Sequence, residues 1–193
     1  MSTQAASTRS FAPTDVAYVA VFAALIGALA LIPTVMIGAV PFSFPLIGVA
    51  LAGLCLGPWR GALAVLLYVV AGTAGLPIFS GGKSGPGVLF GLTGGYVVSF
   101  VVAALIVGFV ARWAVRRGLS AMTLVWFVVG GVIARFVAIM PLGMLGLMRA
   151  GGMDAAAAFK ADIVFVLPDL LKFVLASLLA LSVHKAFPRL LGR

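Results

Sequence analysis

The strongest constraint on this chain is the distance over which it carries no charge. Val16–Ile32 and Val88–Ala111 contain no Asp, Glu, Lys or Arg, Ala121–Met140 is broken only by Arg135, and Ile163–Val183 only by Asp169 and Lys172. A helix needs roughly 20 residues to cross ~30 Å of hydrocarbon, and each of these runs is near that length. Two shorter apolar runs, Leu46–Leu56 and Ala62–Ala74, flank the turn Gly57-Pro58-Trp59-Arg60-Gly61. Pro33 ends the first run, because proline lacks the N–H that a helix interior needs. Thr34–Pro45, with Pro41 and Pro45, reads as a loop, and Gly81–Gly87 as a glycine-rich one. The fold class expected is therefore an all-α integral membrane protein with six transmembrane helices, the second and third short. Composition agrees: 64% of the 193 residues are hydrophobic and 9% are charged, where a soluble domain has about 25% charged. That excludes a soluble enzyme and a disordered tail. Cys55, the one cysteine, has no partner for a disulfide within the chain. The net charge of +9 is spread between apolar blocks without a basic face, so nucleic acid is not implied.

Six spans put both termini on one side. The termini and even loops carry eight basic residues: Arg9, Arg60, Arg112, Arg116, Arg117, Lys185, Arg189 and Arg193. The odd loops carry three, Lys83, Arg149 and Lys160. The positive-inside bias then places both termini in the cytoplasm. Residues 1–14 read as a flexible cytoplasmic N-terminus, 15–187 as the membrane domain and 188–193 as a cytoplasmic tail. A cleavable signal peptide is the competing reading of Met1–Ala30, and the long first span with few basic residues before it weighs against that. The loops around Thr34–Pro45, Ser80–Gly87 and Arg149–Asp162 are expected to face outward.

Ionisable groups inside apolar spans are costly and call for a partner or a function. Asp169 and Lys172 stand three apart at the start of the sixth helix, on one face. They read either as an anchor for a small solute, carboxylate for N–H donors and ammonium for an anion or carbonyl, or as a mutually neutralising packing pair. In the run Gly75–Gly87, Phe79 can stack on a ligand and Lys83 and Ser84 can donate hydrogen bonds; the alternative is a flexible connector. Gly82-Lys83-Ser84 is not a P-loop, since the motif needs Gly where Pro77 stands. Gly94 and Gly95 permit close helix approach or a kink, and Tyr96 offers a ring and hydroxyl to a ligand or to a neighbouring helix. Ala20, Ala24 and Ala28 form a stripe of small residues at four-residue spacing on which another helix can pack. Arg135 either faces the cavity, pairs with Asp162 or Asp169, or snorkels to an interface. His184 reads as a helix C-terminal residue complementing the dipole. No His, Cys or acid grouping suggests a metal, and no catalytic set is present.

Several blocks together resemble a known family. Leu51-Ala52-Gly53-Leu54-Cys55-Leu56-Gly57-Pro58, Gly61-Ala62-Leu63-Ala64-Val65-Leu66-Leu67-Tyr68, Gly75-Leu76-Pro77-Ile78-Phe79, Thr93-Gly94-Gly95-Tyr96 and Asp169-Leu170-Leu171-Lys172 occur in the order and spacing of BioY. BioY is the biotin-specific substrate-binding subunit (S component) of energy-coupling-factor transporters, and the resemblance runs from about Ala39 to Ala180. It implies a six-helix protein of the bacterial cytoplasmic membrane that binds biotin near the outer face, without a cofactor and without catalysis. It implies a lid from the first loop, Thr34–Phe44, with the third and fifth loops completing the pocket. The alanine stripe would meet a transmembrane coupling protein linked to two ATPase subunits, or a second copy of the chain.

The departures bear on the site. Val40-Pro41-Phe42-Ser43-Phe44-Pro45 lacks the Gln usual in the family's first loop, Leu92 replaces a proline before Thr93, and Leu167-Pro168 stands where Pro-Gly is usual. Asp169 and Lys172 are retained. Biotin offers two ureido N–H donors and a carbonyl, an apolar middle and a carboxylate. Asp169 can accept from the N–H groups, Lys172 can meet a carbonyl or carboxylate, Lys83 and Ser84 can meet the carboxylate, and Phe79 and Tyr96 can wall the middle. The competing readings are an S component for another vitamin, a solitary biotin transporter, an intramembrane enzyme and a structural scaffold.

Overall fold

The structure is a computed structural model that describes residues 12–38, 40–188 and 190–191. Of the basic residues used above for orientation, Arg9, Arg189 and Arg193 lie outside it, as does most of the expected N-terminal segment. The elements are α1 (Pro13–Ala30), a hairpin of β1 (Val35–Ile37) and β2 (Val40–Phe42), α2 (Pro45–Thr73), α3 (Gly87–Phe90) and α4 (Gly94–Arg116). Then come α5 (Ala121–Ala134), a π-helical turn (Arg135–Ile139), α6 (Met140–Gly151), α7 (Ala155–Ile163) and α8 (Val166–Ala186). Among the described residues, five helical runs are long and apolar enough to cross a membrane: α1, α2, α4, the continuous run from α5 through α6, and α8.

The second run is not straight. Gly57 breaks it with φ 80° and ψ −176°, a backbone state that a side chain opposes, and Pro58 follows. The chain reverses there. A Cβ on Gly61 would lie 2.7 Å from the Ala52 carbonyl oxygen and from the Gly53 Cα, so the arms 45–56 and 58–73 press face to face. One on Gly108 of α4 would lie 2.5 Å from the Pro58 nitrogen, and one on Gly53 would lie 2.6 Å from the Ala104 carbonyl oxygen. The two arms and α4 therefore meet backbone to backbone, the packing that small residues allow where lipid gives no hydrophobic drive. Every residue from Pro45 to Pro58 is buried, which explains why this short stretch carries no lipid-facing side.

One end of the bundle is tied by polar contacts. Arg60, just past the bend, pairs with Asp15 at 2.7 Å and donates to the Leu190 carbonyl at 2.5 Å. Asp15 also accepts from the Ala12 amide at 3.1 Å, at the start of α1. His184, in the last turn of α8 as expected, is buried, and its Nε2 donates to the Leu54 carbonyl at 2.9 Å. The start of α1, the bend of α2 and the end of α8 thus share one end. The hairpin, the segment 74–93 and the start of α8 lie at the other.

The structure corrects several boundaries. Part of Thr34–Pro45 is an antiparallel hairpin with Val35 opposite Phe42 and Ile37 opposite Val40. The fourth span starts at Gly94, because Gly91 is extended and separates it from α3. The fifth continues past Met140 to Gly151. Pro141 has no N–H for the preceding turn, and the π turn just before it absorbs the disruption. Arg149 and Lys160 are consequently helical, in α6 and α7, where a loop was expected.

Candidate functional site

A cavity opens between the hairpin, the second arm of α2, the segment 75–88, the first turns of α4 and the start of α8, with about 760 Å³ of atom-free space including its mouth. Its apolar walls include Tyr68, Phe79, Tyr96, Phe100 and Phe165, and its polar groups are Ser43, Ser80, Lys83, Thr93, Asp169 and Lys172. Local chemistry fixes several of these. Phe79 is held by turn bonds: its amide donates to the Lys83 carbonyl at 3.0 Å, and its carbonyl accepts from the Gly82 amide at 2.9 Å. The ring lies edge-on to Tyr68 at 5.5 Å and against Gly72, where a Cβ would sit 2.5 Å from its tip. The glycine-rich run is therefore a folded wall of the cavity.

On the α8 side lies a buried ionic network. Lys172 Nζ donates to Asp169 Oδ1 at 3.0 Å, and Asp169 Oδ2 faces Arg135 Nε at 3.1 Å. Arg135 Nη2 donates to Asp162 Oδ2 at 2.6 Å and to the Asp162 carbonyl at 3.1 Å. The Tyr96 hydroxyl donates to Asp162 Oδ1 at 2.8 Å. Arg135 and Asp162 are both 0% exposed. Two carboxylates and two cations balance, which is what a low-dielectric interior requires of ionised groups. Lys172 Nζ also lies 4.2 Å from the centre of the Phe42 ring on the hairpin. Arg135 Nη1 has no hydrogen-bond partner among the described residues.

Asp169, Lys172, Phe79, Lys83 and Tyr96 thus line one cavity. Ser84 lies outside that lining, in a shallow groove with Met36, Gly82 and Leu92. Gly94 and Gly95 do not line the cavity either. They admit backbone, Leu89 against Gly94 and Leu142 with Gly146 against Gly95. Ala20, Ala24 and Ala28 are all exposed along α1, while Ala23 and Gly27 beside them are buried. Of the alternatives open for Arg135, the structure takes the pairing, with both acids at once. Sequence reasoning offered Asp162 only as one possible partner of Arg135, not as a site-linked residue, and missed Tyr68, Phe165 and Ser43 as lining. Asp162 lay in what looked like a loop flank; the available signal was the scarcity of acids to balance an intramembrane Arg.

Chemically, the cavity joins hydrogen-bond acceptors and a cation on α8 to aromatic walls, with a second cation, Lys83, on the glycine-rich segment. That suits a small amphiphilic solute bearing N–H donors and an anionic group.

Comparison with known proteins follows the same line. A profile described as the BioY family matches residues 1–189. The chain is 33% identical over 182 residues to a biotin transporter BioY of Rhizobium etli, covering 93% of this chain and 97% of that one. It is 34% identical over 186 residues to a biotin transporter BioY of Rhodobacter capsulatus, covering 90% and 95%. The fold matches a crystal structure of the S-component for biotin from an ECF-type ABC transporter with TM-score 0.79 and 23% identity, over 91% of this chain and 95% of that one.

Proposed function

The chain belongs to the BioY family, and we propose that it is a membrane subunit that captures biotin for uptake, a transporter and not an enzyme. The observation that carries this reading is the cavity itself, in which Asp169 and Lys172 stand beside aromatic walls. Asp169 accepts from the ureido N–H groups and Lys172 meets the ureido carbonyl or the carboxylate. Phe79, Tyr68 and Tyr96 enclose the apolar middle, and Lys83 meets the anionic end. Ser84, in the adjoining groove, is the weaker partner for that end.

The topology proposed is six crossings in a membrane domain of residues 15–187, counting the two arms of α2 separately, with both termini cytoplasmic in the bacterial inner membrane. The contact of Arg60 with Asp15 and with the Leu190 carbonyl supports a shared side for the termini, and the basic-residue bias supports the cytoplasmic one. A transmembrane coupling protein with two ATPase subunits is the proposed energy source. The exposed stripe Ala20, Ala24 and Ala28 is the proposed contact.

Isothermal calorimetry on the folded, detergent-solubilised chain tests the assignment. Saturable biotin binding is expected, with no heat from thiamin or riboflavin. Binding of either of those vitamins in preference to biotin overturns the substrate while leaving the fold untouched.

A further inference from the structure

The four acids of the chain, all Asp, each engage partners other than the arginines at the end of α4. Asp15 pairs with Arg60, Asp154 caps α7 through the Ala157 amide, Asp162 pairs with Arg135, and Asp169 pairs with Lys172 and Arg135. Arg112, Arg116 and Arg117 crowd the last turns of α4, and among the described residues none of them forms an ion pair. Arg112 and Arg116 are four residues apart on a helix, where like charges repel. No side chain among the described residues neutralises this cluster, which leaves it open to an anion from outside.

The surroundings say what kind of anion. The Arg117 guanidinium lies 3.8 Å from the centre of the Trp113 ring. Trp113 meets Trp126 of α5 edge to face at 4.8 Å. Trp59, at the bend of α2, meets Phe109 at 5.8 Å, and Phe109 shares a helix face with Trp113. The three tryptophans of the chain therefore all belong to this region, and all are exposed. Indoles concentrate at the headgroup level of a bilayer. A row of them beside unpaired arginines puts the positive charge at phosphate depth, with an apolar wall directly below it.

We propose that the end of α4 and the start of α5 form a binding site for an anionic phospholipid, its phosphate held by Arg112, Arg116 and Arg117 and its upper acyl chain lying on Trp113 and Trp126. The apolar wall selects an amphiphile over a free anion. The stacking of Arg117 on Trp113 pre-orients one guanidinium at low entropic cost. The site is remote from the cavity and stands independently of which solute the cavity holds.

The test uses the full chain in neutral detergent, titrated separately with phosphatidylglycerol, phosphatidylcholine and inorganic phosphate while the thermal midpoint is followed. Phosphatidylglycerol is expected to raise Tm by several degrees at low salt, and less at high salt because screening weakens the contact. Phosphatidylcholine and inorganic phosphate are expected to leave it unchanged. In R116Q/R117Q the rise should vanish while the lipid-free midpoint and solute binding stay as in the parent. Native mass spectrometry should count one tightly held phosphatidylglycerol fewer. R117Q alone, which removes one exposed side chain, serves if the double variant is poorly folded, and should lose part of the rise. An equal rise with phosphatidylcholine, a rise with inorganic phosphate, or an undiminished rise in the variants overturns the proposal. An undiminished lipid effect with loss of assembly onto a partner protein would instead mark the patch as a protein interface.

Discussion

Asp169 is the residue on which ligand capture turns, because it is at once a cavity wall and the junction of the ionic network. Replacing it with Asn removes a charge-assisted acceptor, which is worth about 2–3 kcal/mol. Calorimetry on D169N should therefore show biotin affinity reduced roughly 30- to 150-fold; unchanged affinity would mean that the pair only packs the helix. Arg135 acts behind it. In R135M Asp162 loses its cation while Asp169 keeps only Lys172, and breaking such a buried pair costs about 3–5 kcal/mol. R135M/D162N restores charge balance, so its thermal midpoint should lie above that of R135M, the signature of coupled neighbours. A double variant melting below the single one would sink the charge-balance account. At this scale the sequence was legible where spacing is local: Asp169 and Lys172 are three apart and meet as expected. Arg135 and Asp162 are 27 residues apart, separated by the π turn, α6 and most of α7, so their pairing stood only as one alternative that no local period could select.

Elements were legible where hydropathy decides and obscure where backbone geometry does. The apolar runs became helices, yet Gly57-Pro58 bends α2 so tightly that its arms pack on each other. The start of α4 depended on the extended Gly91, and the length of the fifth run on how the π turn accommodates Pro141. Pairing across the hairpin gives β1 and β2 the hydrogen bonds that a bare loop would leave to water, and it carries Phe42 to Lys172. The bend is the element most open to test. At φ 80° and ψ −176° a Cβ is strained, and one on Gly57 would also lie 3.0 Å from Leu191 Cδ2. G57A should destabilise by about 1–3 kcal/mol, read as a lowered midpoint in detergent. Biotin affinity of the folded fraction should persist, because the bend and the cavity lie at opposite ends of the bundle. A midpoint equal to the parent's would show that the bend tolerates a side chain.

For the whole molecule, the proposal turns on how the two ends face the membrane. Five apolar runs counted as five crossings would put the termini on opposite sides, whereas the proposed count of six takes the two arms of α2 separately. The Arg60 contacts with Asp15 and the Leu190 carbonyl favour six, since they hold both chain ends against the same bend. Charge supports the proposed direction: Arg60, Arg112, Arg116, Arg117 and Lys185 lie towards that end, while Lys83 and the cavity mouth lie at the other. The direction matters for function, because a scavenging site must open to the outside to meet its solute. Cys55 is buried, and replacing it with Ala gives a background for single-cysteine probes. With that background, S84C, on the exposed segment beside the cavity, should react with a membrane-impermeant maleimide in intact cells. L119C, between α4 and α5, should react only after permeabilisation, and epitope tags at both termini should be protected until then. The reverse pattern would invert the orientation, and tags on opposite sides would reduce the crossings to an odd number. Either result would require a different route from the outer face of the membrane to Asp169.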